Sequence, residues 1–221
     1  MEPAAPVYLD LTPQQLALVH ALEPLIASAK FARRNNKNNF KGSTGYGFSH
    51  AFGFIRRRSR VPGPSRCNAK YPELWEGLKA LGATLGLQWD AVQVNKDCVC
   101  NPHKDKNNEG LSLLISGGDY TGGELVTSFG NFLAKYRGVV FDGSQIEHSN
   151  TPTVGYKWSI VFFSITMPPD PAGYFPALFR GQYPYYRDRF LDHIPERERL
   201  YFPNGIRKNI GKPNEYVTAP V

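Results

Sequence analysis

The chain has 221 residues, a formal net charge of +7, and 41% hydrophobic and 13% aromatic residues, enough apolar material for a sizeable core in one domain. That composition excludes a disordered chain, and an odd three cysteines, Cys67, Cys98 and Cys100, exclude a disulfide framework and point to a reducing compartment. No stretch approaches the roughly 18 apolar residues of a membrane span, and the opening MEPAAPVYLDL lacks the basic and apolar regions of a secretory signal, so an intracellular monomer is expected, nuclear in a eukaryote or in the host cytoplasm for a virus.

In chain order, Leu11-Thr12-Pro13 opens a helix, with Thr12 as N-cap and Pro13 in the first helical position. Leu16, Leu18, Val19, Leu22, Leu25 and Ile26 give it an apolar stripe. Residues 33–50 read as a polar loop rich in Gly and Asn. Leu74, Leu78, Leu81 and Leu85 recur at helical spacing and predict a second helix over Pro72–Leu85. Short strands follow at Ala91–Val94, Leu111–Ile115, Gly123–Thr127, Gly138–Phe141 and Lys157–Ile165, each bounded by turn formers such as Gly117-Gly118-Asp119 and Asp142-Gly143. Helices first and strands after predict an α+β, mainly β domain with N-terminal helices packed on an antiparallel sheet or barrel. One domain over 1–221 is expected, with a helical and basic part at 1–89 and a Pro/Tyr/Arg-rich extension at 167–221.

The positive charge is concentrated. Between Glu23 and Glu73 there is no Asp or Glu but there are eleven Lys and Arg, so the remaining 15 basic and 19 acidic residues sum to −4. A solvated basic face is one explanation. A polyanion-binding surface is the other, with Arg56, Arg57, Arg58 and Arg60 as contacts to a nucleic-acid backbone. The interleaved Phe31, Phe40, Tyr46, Phe48, Phe52 and Phe54 favour nucleic acid, because bases stack on rings.

His103-Lys104-Asp105 sets an imidazole and a carboxylate two residues apart, on one side of an extended backbone. His148, 45 residues later, is a third ligand for the same ion. Two His and one carboxylate leave open coordination positions, which suits an iron(II) oxygenase better than a closed zinc site. Nine residues past His148, Lys157 and Ser159 share one face of a strand. They supply the cation and hydroxyl that the far carboxylate of a buried dicarboxylate needs; a surface lysine on a β-strand is the alternative. Cys98-x-Cys100-x-x-His103 has no second Cys/His pair to make a zinc cluster, and its cysteines read as small strand residues. His50 and His193 read as structural or solvent-exposed.

The order His-x-Asp, Gly122-Gly-Glu-Leu125, Gly138-x-x-Phe-Asp-Gly143, His148 and Gly155-x-Lys-x-Ser159 resembles the double-stranded β-helix (jelly-roll, cupin-like) core of iron(II)/2-oxoglutarate dioxygenases, over about residues 90–166. Within that superfamily, His103-Lys-Asp105-Lys-Asn-Asn108 is similar to the TET/JBP-like branch, which oxidises the 5-methyl group of 5-methylcytosine or thymine in DNA. The resemblance implies Fe(2+) on His103, Asp105 and His148, which would be the catalytic centre. It implies 2-oxoglutarate on Lys157 and Ser159, with Asn95 as a further donor; capping or a turn is the alternative role for Asn95. It also implies a flipped base hydrogen-bonded by Asn108 and stacked on Phe163. Two positions depart from the branch. Lys157 stands where it uses Arg, which leaves ascorbate open as an alternative cosubstrate, and Ile165 stands where a cytosine-reading His is usual. A prolyl- or lysyl-type protein hydroxylase and a non-catalytic nucleic-acid-binding barrel are the rival readings.

Overall fold

The computed structural model describes residues 3–32, 47–56, 62–165, 205–207 and 216–218. Arg57, Arg58, Arg60, Phe40, Tyr46 and His193 lie outside them. The chain divides into two compact units, Met1–Gly53 with Ser65–Thr166, and Phe54–Pro64 with Met167–Val221.

The first unit opens with β1 (Val7–Leu9) and α1 (Pro13–Ser28). At the start of α1 the Thr12 hydroxyl accepts from Gln15 N at 3.2 Å while Gln15 Oε1 accepts from Thr12 N at 2.9 Å, a reciprocal capping box. Strand β2 (Phe48–Arg56) follows. Its first residues fall in the stretch expected to be loop. Phe48, His50 and Phe52 alternate with Ser49, Ala51 and Gly53, and pairing with β4 (Ala91–Lys96) holds that alternation in the sheet.

Some of the aromatics expected to stack on bases have another use here, while Phe48 is half-buried. Phe31 and Phe52 are buried in the core of this unit. Phe31 meets Tyr71 edge-on and Phe52 stacks on Trp75, with centroids 5.7 and 6.5 Å apart. Rings so enclosed are used up by packing.

Two helices come next, a short α2 (Arg66–Lys70), which has no counterpart in the sequence-based expectation, and α3 (Pro72–Gly82). Thr84 N and Oγ1 both bond the carbonyl of Leu81, which turns the chain before Leu85. Six strands then form the barrel: β5 (Asn108–Gly117), β7 (Leu125–Thr127), β8 (Gly130–Phe132), β9 (Gly138–Phe141), β10 (His148–Asn150) and β12 (Trp158–Ile165). A ribbon of β6 (Tyr120–Gly122) and β11 (Thr153–Gly155) lies beside them.

Within this unit the main sheet runs β1-β9-β5-β12-β4-β2 and the second sheet β10-β7-β8, extended by a bridge from His103 to His148. From β4 onward the chain alternates between the sheets. It passes from β4 to the His103 bridge, then β5, the β7–β8 hairpin, β9, β10 and β12. This is a double-stranded β-helix.

β12 lies between β5 and β4 and shows how the sheet is used. Trp158, Ile160 and Phe162 are fully buried on the face covered by helices, where Phe162 meets Trp89 edge-on at 5.3 Å. The opposite face carries Lys157, Ser159 and Val161 and looks into the barrel, where Leu114, Leu125, Ala134, Val139, Phe141 and Ile146 pack. At the Asn108 end, β5 bulges. Leu113 pairs with Phe162 and Glu109 with Ser164, so extra residues around Gly110 (φ 70°) face Phe163. No described helix is long and apolar enough to cross a membrane. In the second unit, Phe54–Arg56 pairs with β3 (Pro62–Pro64), and β13 (Gly205–Arg207) pairs with β14 (Tyr216–Thr218).

Candidate active site

His103 and His148 are joined by their backbones before their side chains do anything. His103 N donates to His148 O at 3.0 Å and His148 N to His103 O at 2.9 Å. That exchange sets two residues 45 positions apart in direct register, with ring centroids 4.4 Å apart. Each imidazole is then oriented by a carbonyl two residues earlier: Nδ1 of His103 lies 2.7 Å from Asn101 O and Nδ1 of His148 lies 3.0 Å from Ile146 O. A carbonyl only accepts, so both Nδ1 atoms carry the proton and both Nε2 lone pairs are free for a ligand.

Both Nε2 atoms face Asp105. Its Oδ1 is 3.7 Å from His103 and its Oδ2 is 3.7 Å from His148, and the three donor atoms lie within 4.8 Å of one another. Asp105 is held by its N–H to Gly143 O at 2.8 Å, and Asn108 Nδ2 approaches its Oδ2 at 3.4 Å. Burial keeps the His148 pKa below 6.5, against the raising effects of the Ile146 carbonyl and Asp105, so its ring stays in the neutral form that binds a metal. Two imidazoles and one carboxylate this close could hold one ion, and that donor set is the facial triad of iron(II) oxygenases. Neither Cys98 nor Cys100 belongs to the group.

Just before β12, Lys157 is only 4% exposed and makes no ion pair among the described residues. Its Nζ donates to the Gly123 carbonyl and lies 5.4 Å from the centroid of the Tyr120 ring. Burial lowers its pKa from 10.5 to about 8, with Cys100 and Cys98 opposing. Thr153 stands alongside. Its Oγ1 is buried without a hydrogen-bond partner, and a Cβ on Gly123 would lie 2.8 Å from both that atom and Lys157 Nζ. A buried cation and an unpartnered hydroxyl beside one glycine have the chemistry that a carboxylate needs.

Ser159 and Asn95, the other expected cosubstrate contacts, face each other across β12 and β4, and Asn95 Nδ2 donates to Ser159 Oγ at 3.2 Å. Ser49 Oγ donates to Asn95 Oδ1 at 2.8 Å, and Gln93 bonds Ser49, so a polar row crosses the inner wall. Phe163 is half-buried, next to the bulge. Of the basic residues, Arg66 and Lys70 are exposed on α2 and Arg56 closes β2. Sequence reasoning missed Thr153, Tyr120 and Ser116, whose hydroxyl lies 2.8 Å from Tyr120 Oη. The glycine pair Gly122-Gly123 was the available signal, because Gly123 (φ 66°) is where the lysine needs room.

No protein-family model matches the sequence, and neither does any curated protein. Among solved structures, one similar chain is a 2OG-Fe(II) oxygenase family oxidoreductase from Burkholderia pseudomallei, with 19% identity, a TM-score of 0.49, and coverage of 72% of this chain and 84% of that one. NgTET1 in complex with 5mC DNA gives 13% identity, a TM-score of 0.49, and coverage of 73% and 72%. A prolyl-4-hydroxylase from Pseudomonas putida gives 12% identity, a TM-score of 0.44, and coverage of 73% and 92%.

Proposed function

We propose that the chain is an iron(II)- and 2-oxoglutarate-dependent dioxygenase that hydroxylates the 5-methyl group of a pyrimidine in DNA. The observation that carries the reading is the presence of two features in one barrel: three metal donors within 4.8 Å of one another, and a buried lysine without a carboxylate partner among the described residues. The donor set and the burial of the lysine fit both groups. The chemistry that iron(II) with 2-oxoglutarate supplies when bound is dioxygen-driven hydroxylation of a C–H bond, with release of succinate and carbon dioxide.

The protein's own part is positional. His103, Asp105 and His148 hold the ion through oriented Nε2 and carboxylate atoms and leave its outer side free. Lys157 and Thr153 fix the far carboxylate of the cosubstrate, and the packed walls around Leu114, Val139 and Phe141 exclude water. A base inside a duplex cannot reach such a mouth, so the target nucleotide leaves the stack, at a cost of a few kcal/mol offset by contacts in the pocket. The acid-free run of eleven Lys and Arg, with Arg66 and Lys70 exposed on α2, is the support for DNA as partner, and it implies a strongly salt-dependent affinity.

A second reading, a protein hydroxylase, draws on Lys157 in place of a guanidinium and on the burial of Phe31 and Phe52. Nucleoside mass spectrometry after incubation with 5-methylcytosine or thymine DNA, iron(II), and either 2-oxoglutarate or ascorbate tests both readings and the cosubstrate. A hydroxymethyl pyrimidine is the expected product. Succinate release driven by peptide and not by DNA would replace the first reading with the second.

A further inference from the structure

The strands β7 and β8 are joined by a two-residue turn, Ser128-Phe129, closed by the pair Thr127 and Gly130. Thr127 Oγ1 accepts from Phe129 N at 3.1 Å and donates to Gly130 O at 3.2 Å, so the turn is tied from within. Gly130 takes φ 121°, which a side chain would resist, and a glycine there keeps the hairpin tight. Thr127 is also the cross-strand partner of His148. The turn therefore stands beside a metal donor, and on it Phe129 is 44% exposed.

A single exposed phenylalanine is ordinary on a protein surface. This one differs in being mounted on an internally braced turn next to the candidate metal. On the other side of His148, the backbone of His103 leads into the turn between Asp105 and Asn108, where Lys106 is exposed and has no ion-pair partner among the described residues. Neighbouring strands lie about 4.8 Å apart, so β7 and the His103 segment, with β10 between them, are separated by about 10 Å. The segments that carry the ring and the cation thus run side by side at about the span from the base to the phosphate of one nucleotide. Glu109 and Glu147 are also exposed at this end, so the rim is no general polyanion surface, and the ring must supply most of its affinity.

Building on the reading of the chain as a DNA dioxygenase, we propose that Phe129 is a substrate-binding residue that stacks on a base at the mouth, with Lys106 contacting the adjoining phosphate. The two contributions have different signatures. Stacking is worth about tenfold or more in affinity per base and is insensitive to salt, whereas losing one phosphate contact lowers the salt slope by about one.

The test is fluorescence anisotropy of a fluorescein-labelled duplex with one central 5-methylcytosine, titrated with full-length, metal-free protein at several salt concentrations. Phe129→Ala is expected to weaken binding about tenfold with an unchanged slope, Phe129→Trp to restore it, and Lys106→Gln to flatten the slope by about one. Circular dichroism and thermal midpoints confirm that each variant is folded. If wild-type protein binds the duplex and Phe129→Ala binds it equally well, the stacking role is wrong while the DNA reading stands. If wild-type protein does not bind the duplex, or a peptide competes it off, the DNA reading itself falls and this assignment with it.

Discussion

Replacing Lys157 by methionine should make the resting protein more stable while abolishing cosubstrate binding, two effects of opposite sign from one change. The drop in its pKa from 10.5 to about 8 means that the fold disfavours the buried ammonium by about 3 kcal/mol. Methionine removes that cost, keeps the apolar stem, and forfeits the bond to the Gly123 carbonyl, worth about 1 kcal/mol. The net gain is about 2 kcal/mol at pH 7, or roughly 5 °C in Tm for a chain of this size. The pH dependence follows from the direction of the change. Below about pH 8 the lysine is charged both folded and unfolded, and the cost is fully present. Between about 8 and 10.5 the folded lysine loses its proton first, so wild-type stability rises with pH and the advantage of Lys157→Met shrinks. Urea denaturation of both proteins at pH 7, 9 and 10 measures this, and thermal shift with 2-oxoglutarate and manganese(II) measures binding. A variant that is less stable than wild type at pH 7, or more stable by the same amount at every pH, would refute the reasoning, as would stabilisation of the variant by 2-oxoglutarate.

Asp105→Ala leaves two imidazoles without their carboxylate, and cobalt(II) affinity measured by visible absorption should fall by at least 100-fold. In the metal-free protein the buried, neutral His148 has its pKa held below 6.5. Its contribution to stability is therefore lost as the pH falls through 6.5, visible as an acid-side decline in urea midpoint that His148→Gln diminishes. Gly117→Ala would set a methyl 2.2 Å from the Trp158 ring and 2.8 Å from Tyr136, and should destabilise by about 1–3 kcal/mol in chemical denaturation. Lys96→Met removes three bonds from Nζ to the carbonyls of Ile26, Ala27 and Ala29 at the end of α1, and hydrogen exchange in that last turn should accelerate more than elsewhere.

The parts of this molecule legible in the sequence are those decided locally. Thr12 and Pro13 announce α1 because a cap acts within one turn, and Gly138–Phe141 is a strand at its expected bounds because an apolar run buried on both sides needs no partner to be recognised. His103 and Asp105 are legible together because two residues of extended chain share a side. What escaped notice depends on pairing. The three-residue strands β6, β8, β10 and β11 carry no periodicity of their own and exist because a neighbour supplies their hydrogen bonds. Thr153 meets Lys157 only through the ribbon that returns to Gly123. The aromatics of β2 look alike whether they serve bases or a core, and Trp75, far along the chain, settles the use of Phe52.

Lys157 and Trp158 are consecutive, yet one faces the chamber inside the barrel and the other is sealed under helices. Sliding β12 by a single position would thrust an indole into the chamber and an ammonium into the oil beneath α1. Both errors are severe, so alignment of this strand cannot be gradual: it is correct or the barrel does not close. The amides of β12 should therefore be among the slowest in the molecule to trade hydrogen for deuterium, and a nascent chain that has not yet made this strand should have no chamber at all.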